Sequence, residues 1–246
     1  MLGLPDEVTA CLFDMDGVVT KTAVVHDAAW KEMFDGFLRQ WSDTHGTGTA
    51  FVPFDPVRDY DEYVDGKPRL EGIRSFLASR SISLPEGSPS DPPGTPTVYG
   101  LGNKKNELFG TVLKRDGVQV YDGSRRYLAA VRAAGMRTAI VSSSANTVAV
   151  LAAAGITGLF DARVDAQVAH ERGLAGKPAP DTFLEAARML GVDAKQAAVF
   201  EDALAGVAAG HEGGFRCVVG VDRVGQASAL RAHGADTVVR DLAELL

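Results

Sequence analysis

The chain has 246 residues, 46% apolar and 23% charged, which suits one large or two modest globular domains with ample core. Its net charge of −7 argues against broad binding to nucleic acid or anionic membrane surfaces. The short acidic N-terminus does not read as a secretory leader, and no apolar run reaches membrane-spanning length.

The first predicted strand is "ACLFD", residues 10–14, and it runs into Asp14-Met15-Asp16-Gly17. Two acids and a glycine there also suit an ordinary polar turn. Cys11 in this strand and Cys217 near the other end of the chain both lie in apolar segments. Neither a disulfide framework nor a zinc site is expected, and a reducing compartment, the cytoplasm, is the natural home.

Residues 22–118 read as a helical insertion: "AVVHDAAWKEMFDGFLRQW", "RLEGIRSFLASR" and "NKKNELFGTVLKRDG" carry helical patterns with no strong strand between them. Inside it, "SLPEGSPSDPPGTPT" (83–97) is expected to be a solvent-exposed loop.

From about Asp122 the rhythm changes. Strands are predicted at "RTAIV" (137–141), "DARV" (161–164), "AAVFE" (197–201), "RCVVG" (216–220) and "DTVV" (236–239). Helical patterns alternate with them: "SRRYLAAVRAAG", "ANTVAVLAAAG", "DTFLEAARMLG" and "ALAGVAAG". With "ACLFD" this predicts an α/β core with a Rossmann-like parallel sheet of about five or six strands and helices on both faces. Residues 1–21 and 119–246 would form the core and 22–118 the insertion.

Ligands of open α/β sheets bind beyond the carboxyl ends of the strands, so those ends are where chemistry is sought. They carry Asp14 and Asp16, then Ser142, Ser143 and Ser144, then Glu201 and Asp202, while Lys177 opens "KPAPD" as the expected start of a helix. Each has an ordinary reading: Ser144 as a helix N-cap, Lys-Pro as a helix boundary, and the acidic pair as complement to a helix N-terminus. Together they suit phosphoryl transfer through a carboxylate nucleophile. Like-charged carboxylates about 4 Å apart repel by roughly 4 kcal/mol at an effective dielectric near 20, which a divalent cation relieves. Mg²⁺ suits Asp14, Asp202 and the backbone carbonyl of Asp16. Lys177 would neutralise the attacking carboxylate and Ser142 would donate to the phosphoryl oxygens.

These residues resemble the haloacid dehalogenase superfamily. "DMDGV" matches its first motif, Ser142 its second, Lys177 in "GKPAPDTF" its third and Glu201-Asp202 in "FEDALAGVAAG" its fourth. The resemblance implies Asp14 as nucleophile, Asp16 as general acid/base, metal ligands among Asp14, Asp16, Glu201 and Asp202, and a small α-helical cap in the insertion. Within the superfamily, "DMDGVVTKTAVVHDAAWK" is similar to the β-phosphoglucomutases through Thr22, His26 and Trp30. That similarity implies substrate contacts at His26, Arg69, Ser144 and Asn146. His26 would link the cap to Asp16, and Arg69 would grip the phosphate that is not transferred. Ala145 stands where those enzymes carry a lysine, and their cap lysine would fall to Lys104 or Lys105.

The expected partner is a small sugar phosphate, and the expected state a monomer. The expected reaction is interconversion of β-glucose 1-phosphate and glucose 6-phosphate through an aspartyl-phosphate and a glucose bisphosphate. Two alternatives stand beside it: a sugar-phosphate phosphatase, favoured by Ala145 and the 83–97 excursion, and a non-catalytic phosphosugar-binding domain. A lone histidine at a helix start, such as His26, is ordinarily a surface or capping residue. His45, His170, His211 and His233 show no ligand spacing and are expected to be structural, and Trp30 and Trp41 to be packing residues.

Overall fold

Six short apolar segments pair side by side, all parallel, in a computed structural model that describes residues 2–44 and 51–246. They are β1 Ala10–Asp14, β2 Arg137–Val141, β3 Ala162–Val164, β4 Ala197–Glu201, β5 Cys217–Val221 and β6 Thr237–Val239, in the order β3-β2-β1-β4-β5-β6. His45 lies outside the described residues.

The parallel sheet is the one that the alternation of strands and helices predicts. β1 lies between β2 and β4, with Cys11 beside Thr138 on one side and Ala198 on the other. All five of its residues are buried, as are those of β4 and β5, so these strands are covered on both faces rather than alternating between core and solvent. Phe13 stacks on Phe200 across the β1–β4 pair, ring centroids 4.5 Å apart. From β1 the chain moves outward through β2 to β3, then crosses back to begin β4 on the other side. That reversal puts a crevice beyond the carboxyl ends of β1 and β4, where open sheets bind ligands.

The helices of this unit are α4 Asp122–Ala133, α5 Thr147–Ala153, α6 Ala166–Arg172, α7 Asp181–Leu190, α8 Leu204–Glu212 and α9 Ala227–Ala232. Helix α7 buries Phe183, Ala186, Ala187 and Leu190 against Leu12, Ala139 and Val199 of the sheet. It starts at Asp181, four residues later than the start expected at Lys177, which stands instead in a turn. Pro178 and Pro180 account for the delay, because each disfavours the helical conformation in the residue before it.

Contacts divide the chain into two compact units: Met1–Thr22, Gly66–Pro68 and Val118–Leu246 form the sheet unit, and Ala23–Asp65 with Arg69–Gly117 the helical unit. The helical unit contains α1 Ala23–Thr44, α2 Arg69–Ser79, α3 Val98–Asp116 and one turn of π-helix at Tyr60–Val64. Its core gathers Trp30, Phe34, Phe54, Phe76 and Leu101, and Trp41 packs at its margin. Helix α3 begins five residues before the predicted "NKKNELF" pattern. Thr97 caps it by accepting from the Gly100 amide at 2.9 Å, and the glycines at 100 and 102 hide this first turn from a propensity reading.

Residues 83–97 contain no helix or strand and are largely exposed, yet the loop is tied down. Asn103 Nδ2 donates to the carbonyls of Pro89 and Asp91, and Asp91 Oδ2 accepts from Thr97 Oγ1 and the Ser88 amide.

Candidate active site

The crevice at the β1–β4 reversal is built on the last residues of those two strands and the loops that follow. Asp14 is 7% exposed, Lys177 3% and Glu201 0%. Lys177 Nζ donates to Asp14 Oδ1 and to Glu201 Oε1, and lies 3.5 Å from the Val141 carbonyl. The other oxygen of Glu201 accepts from the Ala203 amide at 3.0 Å, so Glu201 is held at both ends. A Cβ added at Gly206 would sit 1.7 Å from Glu201 Oε1, so only glycine lets α8 start against this carboxylate.

Burial raises the Asp14 pKa well above its ordinary value, Lys177 opposes this, and the charges of Glu201 and Asp16 add to the rise. For Lys177, burial acts downward and is outweighed by Asp14 and Glu201, so its ammonium form is favoured. One positive charge thus serves a cluster with three carboxylates: Asp14, Glu201 and Asp202 each offer a ligand atom, all within 4.8 Å of one another. This oxygen-only donor set with excess negative charge fits a hard divalent cation.

Asp16 follows the strand end and faces different partners. Thr22 Oγ1 donates to its Oδ1, and Ser142 Oγ donates to its Oδ2 at 3.4 Å. The Thr20 hydroxyl lies 2.6 Å from that of Thr22 and extends the chain of hydroxyls. Both Asp16 oxygens are therefore oriented by donors, which suits a carboxyl that must present a proton in one direction.

Beyond β2, Ser142 Oγ accepts from the Ser144 amide, and Ser144 Oγ from the Asn146 amide, each at 3.1 Å. The position preceding α5 is Asn146, so Ser144 orders the loop rather than capping the helix itself. Ala145 is exposed between them. The sheet unit thus gathers Asp14, Asp16, Ser142, Ser144, Asn146, Lys177, Glu201 and Asp202 at the last residues of β1 and β4, on the loops that follow β1, β2 and β4, and in the turn before α7.

His26 and Arg69 belong to the helical unit. His26 is buried, correcting its ordinary reading as a surface residue: its ring stacks on Phe109 at 4.1 Å, and Nδ1 meets Lys105 Nζ. Since an ammonium only donates, Nδ1 accepts from it and the imidazole carries its own proton on Nε2. Lys105 is also buried, 5.0 Å from the Trp30 ring centroid and 5.3 Å from that of Phe109, whereas Lys104 pairs with Glu107 at the surface. Lys105 is therefore the inward lysine of the two. Arg69 opens α2 with its Nε buried and without a hydrogen-bond partner among the described residues, and burial lowers its pKa.

A family model for haloacid dehalogenase-like hydrolases matches residues 8–214, spanning every one of these strand ends. The chain belongs to that family. Among haloacid dehalogenase-like proteins it is 59% identical to a β-phosphoglucomutase of Mycobacterium bovis over 100% of this chain and 94% of the relative. It is 31% identical to the β-phosphoglucomutase of Bacillus subtilis, covering 96% of this chain and 91% of that one. The fold is shared with a crystal structure of β-phosphoglucomutase from Clostridium difficile, at a TM-score of 0.73 and 24% identity over 97% of this chain and 93% of the other.

The Thr22–Asp16 contact was not expected from the sequence, where Thr22 stood only as a shared residue of the first-motif segment and nothing in residue type assigns it to Asp16. Thr22→Val removes the donor at nearly constant volume. Losing a hydrogen bond to a charged group costs about 1.5–3 kcal/mol, so kcat is expected to fall at least about tenfold. Thr22→Ser, which keeps the hydroxyl, should restore most of it; steady-state kinetics of both variants checks this.

Proposed function

We propose that this member of the haloacid dehalogenase-like family is a Mg²⁺-dependent phosphosugar mutase that interconverts β-glucose 1-phosphate and glucose 6-phosphate. The observation that carries the chemistry is the division of labour between the two acids of the first motif. Asp14 is buried against Lys177, as a nucleophile needs, while Asp16 is held by Thr22 and Ser142, as a directed proton donor needs. The full-length identity with mycobacterial β-phosphoglucomutase supports a sugar as acceptor.

In this reading Asp14 Oδ attacks phosphorus in line with the departing sugar oxygen, which takes the proton of Asp16 as the P–O bond breaks. The free hydroxyl of a sugar monophosphate then attacks the aspartyl-phosphate, passing its proton to Asp16 and forming glucose 1,6-bisphosphate, and attack of Asp14 on the other phosphate of that bisphosphate releases the isomerised monophosphate and restores the aspartyl-phosphate. Lys177 opposes the burial that presses Asp14 toward its neutral form and balances charge on the phosphoryl oxygens, which the Ser142 hydroxyl also contacts. Bound through Asp14, Asp202, Glu201 and the Asp16 carbonyl, Mg²⁺ would neutralise charge shared by the nucleophile and the phosphoryl group. Ser144, Asn146 and Arg69 are assigned to the phosphate that is not transferred, and His26 with Lys105 to coupling the helical unit to proton transfer at Asp16. The two free buried thiols, Cys11 and Cys217, support a cytoplasmic setting.

A sugar-phosphate phosphatase is the second reading. It is favoured by Ala145, where the mutases have a lysine to hold the distal phosphate. Incubation with Mg²⁺, β-glucose 1-phosphate and a trace of glucose 1,6-bisphosphate separates the two. The mutase yields glucose 6-phosphate with little inorganic phosphate; inorganic phosphate without isomerised sugar would sink the mutase and favour hydrolysis.

A further inference from the structure

The loop between β5 and α9 grips the backbone beside two of the motif residues described above. Arg223 Nε donates to the Gly17 carbonyl at 2.7 Å, one residue beyond Asp16. Gln226 Nε2 donates to the carbonyl of Asp202 itself at 3.0 Å. One short loop therefore spans the carboxyl ends of β1 and β4, the two segments that must bring Asp14 and Asp202 together.

The loop is itself anchored. Asp222 Oδ1 accepts from the amides of Gly225 and Gln226 at 2.7 and 2.8 Å, closing a tight turn in which Gly225 takes a φ of +87°. Arg223 lies with its guanidinium 3.6 Å from the Tyr121 ring centroid, donates to the Arg240 carbonyl at 2.8 Å and faces Asp241 at 3.6 Å. A third carbonyl, that of Val18 at 3.4 Å, accepts from Arg223 and also takes the 2.6 Å bond from Ser124.

The space between the two gripped carbonyls leaves little freedom. Gly17 adopts φ +87°, and a Cβ built on it would sit 1.7 Å from Asp202 Oδ2. The Asp202 carboxylate thus lies directly on the Gly17 backbone, and a small shift of either loop changes where its oxygens stand relative to Asp14. Arg223 holds one side of this contact and Gln226 the other.

The geometry points to Arg223 and Gln226 as positioning residues that set the separation of the Asp14 and Asp202 carboxylates and so tune affinity for the divalent cation. The role is expressed through the backbone carbonyls of Gly17 and Asp202. The inference rests on the metal-dependent reading above. Removing groups that orient metal ligands typically costs about 10–100-fold in affinity, which sets the expected scale.

The test is calorimetric titration of the full chain with MgCl₂, for the unaltered protein and for Arg223→Ala, Arg223→Lys and Gln226→Ala. The Mg²⁺ Kd is expected to rise about tenfold or more in Arg223→Ala. Gln226→Ala, which loses one bond, should rise less, and Arg223→Lys should fall between unaltered protein and Arg223→Ala because an ammonium cannot reproduce the guanidinium fork. KM for the sugar phosphate at saturating Mg²⁺ should stay within about twofold, since uniform substrate binding is untouched. A merely structural role would lower the melting temperature and leave the Mg²⁺ Kd unchanged, and that result in folded Gln226→Ala and Arg223→Lys overturns the inference even if Arg223→Ala does not fold. Failure of the unaltered chain to bind Mg²⁺ overturns the metal reading as well, so the two failures are told apart.

Discussion

Asp14→Asn is expected to lower turnover by on the order of 10⁴-fold or more while leaving the protein folded. The amide is nearly isosteric, so the packing of β1 survives, but it offers no anionic oxygen to attack phosphorus. Lys177 keeps Glu201 as its partner, so no buried charge is stranded. The substitution also removes a carboxylate that burial and two neighbouring acids already press toward its neutral form, so the melting temperature should change little or rise. Intact-protein mass after incubation with glucose 1,6-bisphosphate should show a phosphoryl adduct in the unaltered chain and none in the variant. Substantial residual turnover with the same product ratio would remove Asp14 from the nucleophile's role.

Lys177→Met carries the second large effect, and here stability and activity fall together. The ammonium is buried between Asp14 and Glu201, and the apolar replacement leaves both carboxylates without their cation. Breaking a buried pair by removing one partner costs about 3–5 kcal/mol. For a chain of this length that corresponds to a fall in melting temperature of roughly 6–20 °C. Loss of a charge-stabilising donor at the reacting centre adds about 10²–10³ in kcat. Lys177→Met combined with Glu201→Gln should recover part of the stability and none of the activity, because it removes a stranded charge without restoring the cation. Thermal unfolding of the single and double variants, read beside kcat, separates the two effects.

Much of the sheet was legible because its strands are short, continuous apolar runs bounded by turn residues, and their ends name the chemistry directly. β1, β2 and β4 fall on the predicted residues, and β5 is displaced by one because Arg216 stays outside the ladder. What escaped depends on partners distant in the chain. Helix α6 is seven residues with none buried, and α9 buries only Leu230, so neither carries a strong periodic stripe. His26 looked like a surface residue because the burying partners, Lys105 and Phe109, come from another helix. Which of Lys104 and Lys105 turns inward was settled by the face of α3 that meets Trp30, invisible until the helix is placed. Arg223 and Gln226 act on carbonyl oxygens, which every residue has, so no side-chain motif marks their targets. Lys177 is the reverse case: its place in the cluster follows from its motif, but the helix expected to begin there is held off to Asp181 by two prolines.

The most direct measurement is the fate of the phosphoryl group on the enzyme. The protein is loaded with ³²P from labelled glucose 1,6-bisphosphate in the presence of Mg²⁺, freed of excess label, then mixed rapidly with unlabelled β-glucose 1-phosphate and quenched. The expected result is label on the peptide containing Asp14 before mixing and in glucose bisphosphate or glucose 6-phosphate after it. Label passing to inorganic phosphate at the same rate with or without the sugar phosphate would contradict the account.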